Sequence, residues 1–163
     1  MYGDVALVSA ATERVLSIGN STVEQVTSNI SSGDFVHHQG SFHNKDLFTA
    51  WGCFDERYRI RGDFDLLLQP FMAGHAAYVP GRVVCGSRTG GLSTSAAHLV
   101  TLKKETLDIL SRRKPGCIPV SVYAQLVLYR FFGVAEALVG RKRALMLADA
   151  YRLLRGRKRL YTA

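Results

Sequence analysis

The sequence predicts an α/β body followed by a helical, basic tail. Short apolar runs that favour strands alternate with helix-like spacings up to about residue 93, and the chain after residue 94 is typical of helices. The charges divide at nearly the same place. Residues 1–102 contain seven Lys/Arg and nine Asp/Glu, whereas residues 103–163 contain fourteen and four. This asymmetry predicts a charged partner for the tail alone.

The elements of the first half follow from apolar spacing and from turn residues. Five are predicted in chain order: strands over residues 1–9 and 12–18, a helix over 21–30, extended chain over 35–42, and helical turns over 45–51. Gly19-Asn20 ends the second strand and Gly52 ends the helical turns, since glycine accepts the backbone conformation of a helix C-terminus.

The second half is predicted from the same signals. A helix is expected to begin at Phe64 behind Asp63, with a kink at Pro70, because proline has no N–H group and crowds the preceding turn. Residues 76–85 favour a strand pair or a strand broken at Pro80-Gly81, and residues 88–93 a glycine-rich loop. The helices that follow are expected to break near residues 114–116 and near Gly140.

The cysteines and the apolar stretches indicate where in the cell the protein is expected. Cys53, Cys85 and Cys117 are far apart and fit no zinc spacing, so reduced thiols are expected. Residues 1–9 lack the order of a signal peptide, a basic segment followed by an apolar one. The uncharged apolar stretch at residues 118–129 is shorter than the roughly 20 residues that a spanning helix needs. We expect a cytoplasmic protein, or one at the inner face of the cell membrane.

An ordered series of short motifs occupies the centre of the chain. Its members are His38-Gln39-x-x-Phe42, Leu47-Phe48, Gly52-x-Phe54-Asp55-Glu56-x-Tyr58 and Gly62-Asp63-Phe64-Asp65, all within 28 residues, and later Gly90-Gly91-Leu92-Ser93. With Tyr2-Gly3-Asp4-Val5 before it, this series resembles the second, acceptor-side half of the family 2 glycosyltransferases, which share the GT-A fold. The resemblance covers about residues 1–95. It therefore predicts an acceptor-side half over residues 1–95 and a helical, basic segment over residues 96–163.

This resemblance implies an activity and its requirements. Family 2 enzymes of this kind move a sugar, with inversion, from a nucleotide-sugar to a glycan or lipid-linked acceptor, in cell-envelope polysaccharide or glycolipid synthesis. The intact enzyme is expected to need a divalent metal, Mg²⁺ or Mn²⁺. The donor-binding half and the aspartate pair that holds this metal are not in this chain. The resemblance thus implies a fragment, a chain whose donor half is another polypeptide, or a protein that has lost transfer activity. We expect a fragment that is inactive without its donor half.

Asp63 matches the general base of the family. Inverting transfer needs a carboxylate within hydrogen-bond reach of the acceptor hydroxyl, to take its proton as it attacks the anomeric carbon. The residues alone favour a different role, because an Asp directly before an apolar run is a common N-cap. The flanking motif reverses that preference in favour of catalysis.

Other candidates have a structural alternative each. The resemblance implies acceptor or support roles for Asp65, His38, Gln39 and Asp55, a place near the diphosphate for Gly90, Gly91 and Ser93, and a metal ligand in His98. The alternatives are a first-turn acid for Asp65, a turn residue for Asp55 and a structural histidine for His38. Trp51 is either a platform for a sugar or a core residue at a helix end, and the core role is favoured.

The tail leaves the partner open. Residues 141–160 combine basic clusters with apolar positions, as segments that bind anionic membrane surfaces do. Nucleic-acid binding through the same basic residues ranks below this, because no RNA-binding signature accompanies them. A solvated basic end with no fixed partner is the second interpretation, and nucleic-acid binding is the third. For the whole chain, the alternatives to a transferase are a non-catalytic glycan- or membrane-binding module and a nucleic-acid-binding protein.

Overall fold

The computed structural model describes residues 1–10, 12–88, 98–113, 116, 118–154 and 156. Those residues form three strands and six α-helices: β1 (Tyr2–Val8), β2 (Val15–Gly19), α1 (Val23–Asn29), α2 (Asp46–Trp51), α3 (Gly62–Met72), β3 (Tyr78–Arg88), α4 (Leu99–Arg113), α5 (Val120–Val139) and α6 (Arg141–Leu154). Two compact units divide the chain, Met1–Val122 and Tyr123–Ala163. The mixed α/β class predicted from the sequence is confirmed.

A mixed three-stranded sheet forms the centre of the first unit. Strand β1 lies in the middle, antiparallel to β2 and parallel to β3. The predicted break of β3 at Pro80-Gly81 is wrong, because one strand continues through both residues. The register shifts there instead: Gly3 pairs with Val79 and Asp4 with Val83. The Asp4 carboxylate accepts the Gly81 N–H at 2.8 Å, which stabilises this irregular stretch.

The prediction of extended chain over residues 35–42 is wrong at residues 38–40. His38–Gly40 forms a 3₁₀ turn, and only Ser41 makes an isolated bridge, to Tyr2. Close packing at Gly40 favours the turn, since a Cβ at this position would lie 2.7 Å from Val5 Cγ2. His38 therefore lies on a turn and not on a strand.

Helix α3 joins the two apolar clusters of the first unit. Phe64 and Leu68, near its start and centre, are fully buried with Ile109 and Leu110 of α4. Phe71, near its end, packs in the second cluster with Tyr2, Val26 and Val36. The helix ends at Met72, two residues after Pro70. Both ends of α3 are thus fixed by packing, and α4, assigned to the C-terminal segment by sequence, packs against it in the first unit.

Local signals placed several helix ends correctly. Thr22 and Gln25 form a reciprocal capping box at the start of α1. Helix α2 ends at Gly52, whose φ of 88° is available to glycine at low cost. Helix α4 ends at Arg113, and Gly140, with φ 80°, separates α5 from α6. These boundaries agree with the predicted ones.

The C-terminal unit contains most of α5 and all of α6. Helix α5 is 20 residues long, and by length and composition it is apolar enough to cross a membrane. It continues beyond the uncharged stretch at residues 118–129, through Arg130 and Glu136, to Val139. The prediction that this region is too short to span a bilayer was based on residues 118–129 alone, and α5 is longer than that stretch.

Candidate functional site

Asp63 and His38 form the centre of the candidate site. Asp63 lies in the first turn of α3, and His38 lies at the start of the 3₁₀ turn. The Oδ2 atom of Asp63 is 2.6 Å from Nδ1 of His38. The structure thus brings together two sequence-predicted site residues that are 25 positions apart in the chain.

The N-cap role considered for Asp63 is not observed. Helix α3 begins at Gly62, two residues before the predicted start at Phe64, and Arg61 occupies the cap position. A residue of α4 binds the chain just before this helix. Glu105 accepts the backbone N–H groups of Arg59 at 3.0 Å, Ile60 at 2.9 Å and Arg61 at 2.8 Å. These bonds fix the loop before α3 and satisfy the N–H group of the cap residue Arg61.

The contact between Asp63 and His38 favours the charged form of each side chain. The hydrogen bond from His38 to Asp63 raises the pKa of the imidazole, against the opposing effect of burial. Burial on its own raises the pKa of Asp63, but the hydrogen bond and charge of His38, with the charge of Arg61, outweigh it and lower this pKa. Because the charged form of each group favours that of the other, both are ionised together.

The two oxygens of Asp63 differ in their surroundings. The Asp63 side chain is 20% exposed, and its Oδ1 atom is buried without a hydrogen-bond partner among the residues that the structure describes. Buried carboxylate oxygens nearly always have a partner, so an unpaired one indicates either a functional role or a missing water. The His38 side chain, 44% exposed, leaves the site open to solvent.

Asp65 faces away from this pair. Its side chain is fully buried, and Arg113 of α4 donates to it through Nε at 2.9 Å and through Nη2 at 2.8 Å. Asp65 therefore joins α3 to α4 and supports the helix that carries Asp63. The sequence gives no local signal for Arg113, which lies 48 residues away.

Asp55 and Gln39 lie near the pair in sequence without joining it. Asp55 accepts from the Arg57 side chain at 2.6 Å and from the Arg57 backbone at 3.0 Å, and these bonds lower its pKa to about 2. Asp55 thus serves its own loop. Gln39 is exposed on the 3₁₀ turn beside His38.

The remaining predicted site residues concern the diphosphate and the metal. Gly90, Gly91 and Ser93 lie outside the described residues. His98 directly precedes α4. Within the described ranges, no three His, Cys, Asp or Glu side chains come together in a group that could hold a metal ion. Among the described residues, no metal site is therefore identified at His98.

A pocket of about 430 Å³ lies beside α3. Its apolar wall includes Tyr2, Phe42, Leu47, Trp51, Leu67, Pro70 and Phe71, and its polar groups include Ser41, His43, Asn44, Asp46 and His75. Trp51 is 36% exposed and its ring centre is 6.4 Å from that of His75. The core position that the sequence favoured for Trp51 is therefore wrong. Trp51 lies in the wall of a pocket.

Each residue of the Asp63–His38 pair is close in sequence to residues that line the pocket. Leu67 follows Asp63 by four residues, so the two lie on the same side of α3, about 6 Å apart along the helix axis. Ser41 and Phe42 directly follow the 3₁₀ turn that carries His38. Asp63 itself does not line the pocket. A ligand that fills the pocket and extends by one helical turn would reach the carboxylate.

Comparison with known proteins gives no relative: no protein-family model matches this sequence, and no curated protein or solved structure matches it significantly.

Proposed function

We propose that the first unit is the acceptor-side half of a family 2-like inverting glycosyltransferase of the GT-A fold, with Asp63 as its general base. The observation that carries the proposal is the 2.6 Å pair of Asp63 and His38, with Oδ1 of Asp63 left unpaired. The motif resemblance selects these two residues from the sequence, and the fold brings their side chains together.

The geometry supports a division of labour between the two side chains. His38 holds Oδ2 of Asp63 and orients the carboxylate. The hydrogen bond to Asp63 raises the pKa of His38 and so favours its protonated form, which donates to the carboxylate and is not a base. The proton acceptor in this proposal is therefore the Asp63 carboxylate.

The reaction follows from this arrangement. As the acceptor oxygen bonds to the anomeric carbon, its O–H bond breaks and the proton moves to the Asp63 carboxylate. The bond between the anomeric carbon and the diphosphate breaks on the opposite face, and the nucleoside diphosphate leaves with that electron pair. In an intact enzyme, Mg²⁺ or Mn²⁺ would neutralise the charge of the leaving diphosphate.

The pocket supports a sugar or a lipid-linked sugar as acceptor. Trp51 and Phe42 offer partly exposed rings to the apolar face of a sugar, and Asp46, Asn44 and His75 offer hydrogen-bonding groups. Its position one helical turn from Asp63 is suitable for an acceptor whose reactive hydroxyl extends toward the carboxylate.

The test joins the chain to the donor half of a family 2 enzyme and measures release of nucleoside diphosphate with saccharide acceptors. Asp63→Asn should lower kcat by about a hundred- to ten-thousand-fold, the usual effect of removing a base. Asp55→Asn is the matched control, because Asp55 binds its own loop, and it should stay within about threefold. A rate that survives Asp63→Asn in an active fusion would exclude Asp63 as the base.

A non-catalytic glycan-binding module is the second candidate, and the exposed Trp51 in the pocket favours it. Saccharide titration of the full chain, followed by nuclear magnetic resonance, separates the two. Binding that is lost in Trp51→Ala and unchanged in Asp63→Asn, with no turnover in the fusion, would establish the binding module.

A further inference from the structure

We propose that helix α5 lies in the plane of an anionic lipid surface, with one apolar stripe inserted among the lipids. The stripe consists of Tyr123, Val127, Phe131, Val134 and Leu138. This inference does not depend on the proposed transferase activity, because it concerns a different part of the chain and a different ligand.

The five side chains form a continuous stripe on one side of the helix. Their spacing is four, four, three and four residues. At about 100° per residue they fall within an arc of about 80°. All five are at least half exposed, and Leu138 is 80% exposed. Large apolar side chains that are aligned and exposed in this way indicate a surface that another apolar phase covers.

The charge around the stripe selects an anionic lipid surface as that phase. Residues 140–160 contain eight Lys/Arg and one Asp. Such a cluster next to an apolar helix is attracted to anionic headgroups. It opposes pairing with a second copy of the chain, because the two basic segments would repel each other.

Arg130 determines the orientation of the helix. It is the eleventh of the 20 residues of α5 and is exposed. In a helix that crosses the bilayer, Arg130 would lie at the centre of the hydrocarbon, where a guanidinium is costly. In a helix that lies in the interface, Arg130 is about 60° from the centre of the stripe and its long side chain reaches the lipid phosphates. Gln125 and Glu136 then lie on the side away from the lipid.

Co-sedimentation of the full chain with vesicles tests the binding. The probes are phosphatidylcholine vesicles with and without about one-third phosphatidylglycerol. We expect at least about tenfold tighter binding to the anionic vesicles, decreasing as salt increases. Equal binding to both vesicle types, or to neither, would overturn the proposal.

Two neighbouring residues provide matched variants for the stripe. Leu138→Gln removes the most exposed member and should weaken anionic-vesicle binding by about tenfold. Val139→Gln changes an apolar side chain that is 40% exposed but about 100° away around the helix, and should change binding by less than about threefold. Equal effects of the two variants would overturn the stripe, even if the basic residues bind lipid.

Spin-label depth measurements test the orientation. Labels at positions 123, 131 and 138, in a chain whose three cysteines are replaced by serine, should lie at the same depth in anionic bilayers. A deep label at 131 with shallow labels at both ends would show a spanning helix and overturn the proposal. So would RNA binding without vesicle binding, or a dimer that Leu138→Gln dissociates in a chain that does not bind vesicles.

Discussion

Replacing Arg113 by Met tests the most consequential interaction between α3 and α4. Asp65 is fully buried at the side chain, and Arg113 donates two hydrogen bonds to it at 2.8 and 2.9 Å. Methionine keeps most of the length and apolar contact of the arginine stem and removes the guanidinium. Gln69 still donates to the Arg113 carbonyl, since that bond uses the backbone. The substitution therefore leaves the Asp65 carboxylate buried without its counter-charge.

Removing one partner of a buried ion pair typically costs about 3–5 kcal/mol. The lower end applies here, because Arg113 is 37% exposed and water can enter when the guanidinium is gone. We expect a loss of about 3 kcal/mol from a free energy of unfolding of about 5–15 kcal/mol. The double variant Asp65→Leu/Arg113→Met should recover most of this loss, because no charge then remains buried.

Urea unfolding, followed by far-ultraviolet circular dichroism and by Trp51 fluorescence, measures the free energy of unfolding. Arg112→Met is the matched control. Arg112 pairs with Asp108, which is 56% exposed, and lies over the Tyr58 ring at 5.3 Å. These exposed contacts together should contribute at most about 1.5 kcal/mol. Equal losses in the two single variants, or a double variant no more stable than Arg113→Met, would refute the reasoning.

Two further predictions concern the site. Glu105→Gln should destabilise the chain by about 1–2 kcal/mol in urea unfolding, because Glu105 accepts three backbone N–H groups before α3 and the neutral amide accepts them less strongly. The exposed Glu56→Gln is its control, and an equal effect of both would contradict this role. Asp63→Asn should lower the pKa of His38 toward 6.5, measured by nuclear magnetic resonance titration, with the other histidines as internal controls. The raised pKa of His38 contributes stability that is lost as pH rises through it, and the lowered pKa of Asp63 contributes stability that is lost as pH falls through it. The variant should therefore be most destabilised, relative to the wild type, between pH 3.8 and pH 6.5. A destabilisation independent of pH would contradict the ion pair.

Features encoded by neighbouring residues could be predicted from the sequence. The capping box of Thr22 and Gln25 and the glycine after α2 each depend on a few adjacent positions. The motif series selected Asp63 and His38, but only by resemblance. Their 2.6 Å contact depends on the turn at residues 38–40, which the sequence analysis assigned to extended chain.

The rest depends on contacts between distant segments. Glu105 binds the loop before α3 from more than 40 residues away, and Arg113 neutralises Asp65 from 48 residues away. No local pattern marks either residue, because both lie on a helix of ordinary amphipathic composition. For the same reason Asp63 was weighed as an N-cap: the sequence does not show that Arg61 occupies the cap position instead.

The side chain of Asn20 takes the place of a peptide group beside the His38 turn. Its Oδ1 accepts the backbone N–H of His37 at 3.1 Å, and its Nδ2 lies 3.4 Å from the carbonyl oxygen of the same residue and donates to Gly3 O at 3.0 Å. Both backbone groups of His37 therefore face one amide, as they would face a residue of an adjoining strand. An aspartate or leucine at position 20 cannot supply a donor and an acceptor together. Asn20 thus holds the backbone of His37, which directly precedes the site's histidine, His38. It lies directly after β2, outside every motif by which the site was recognised.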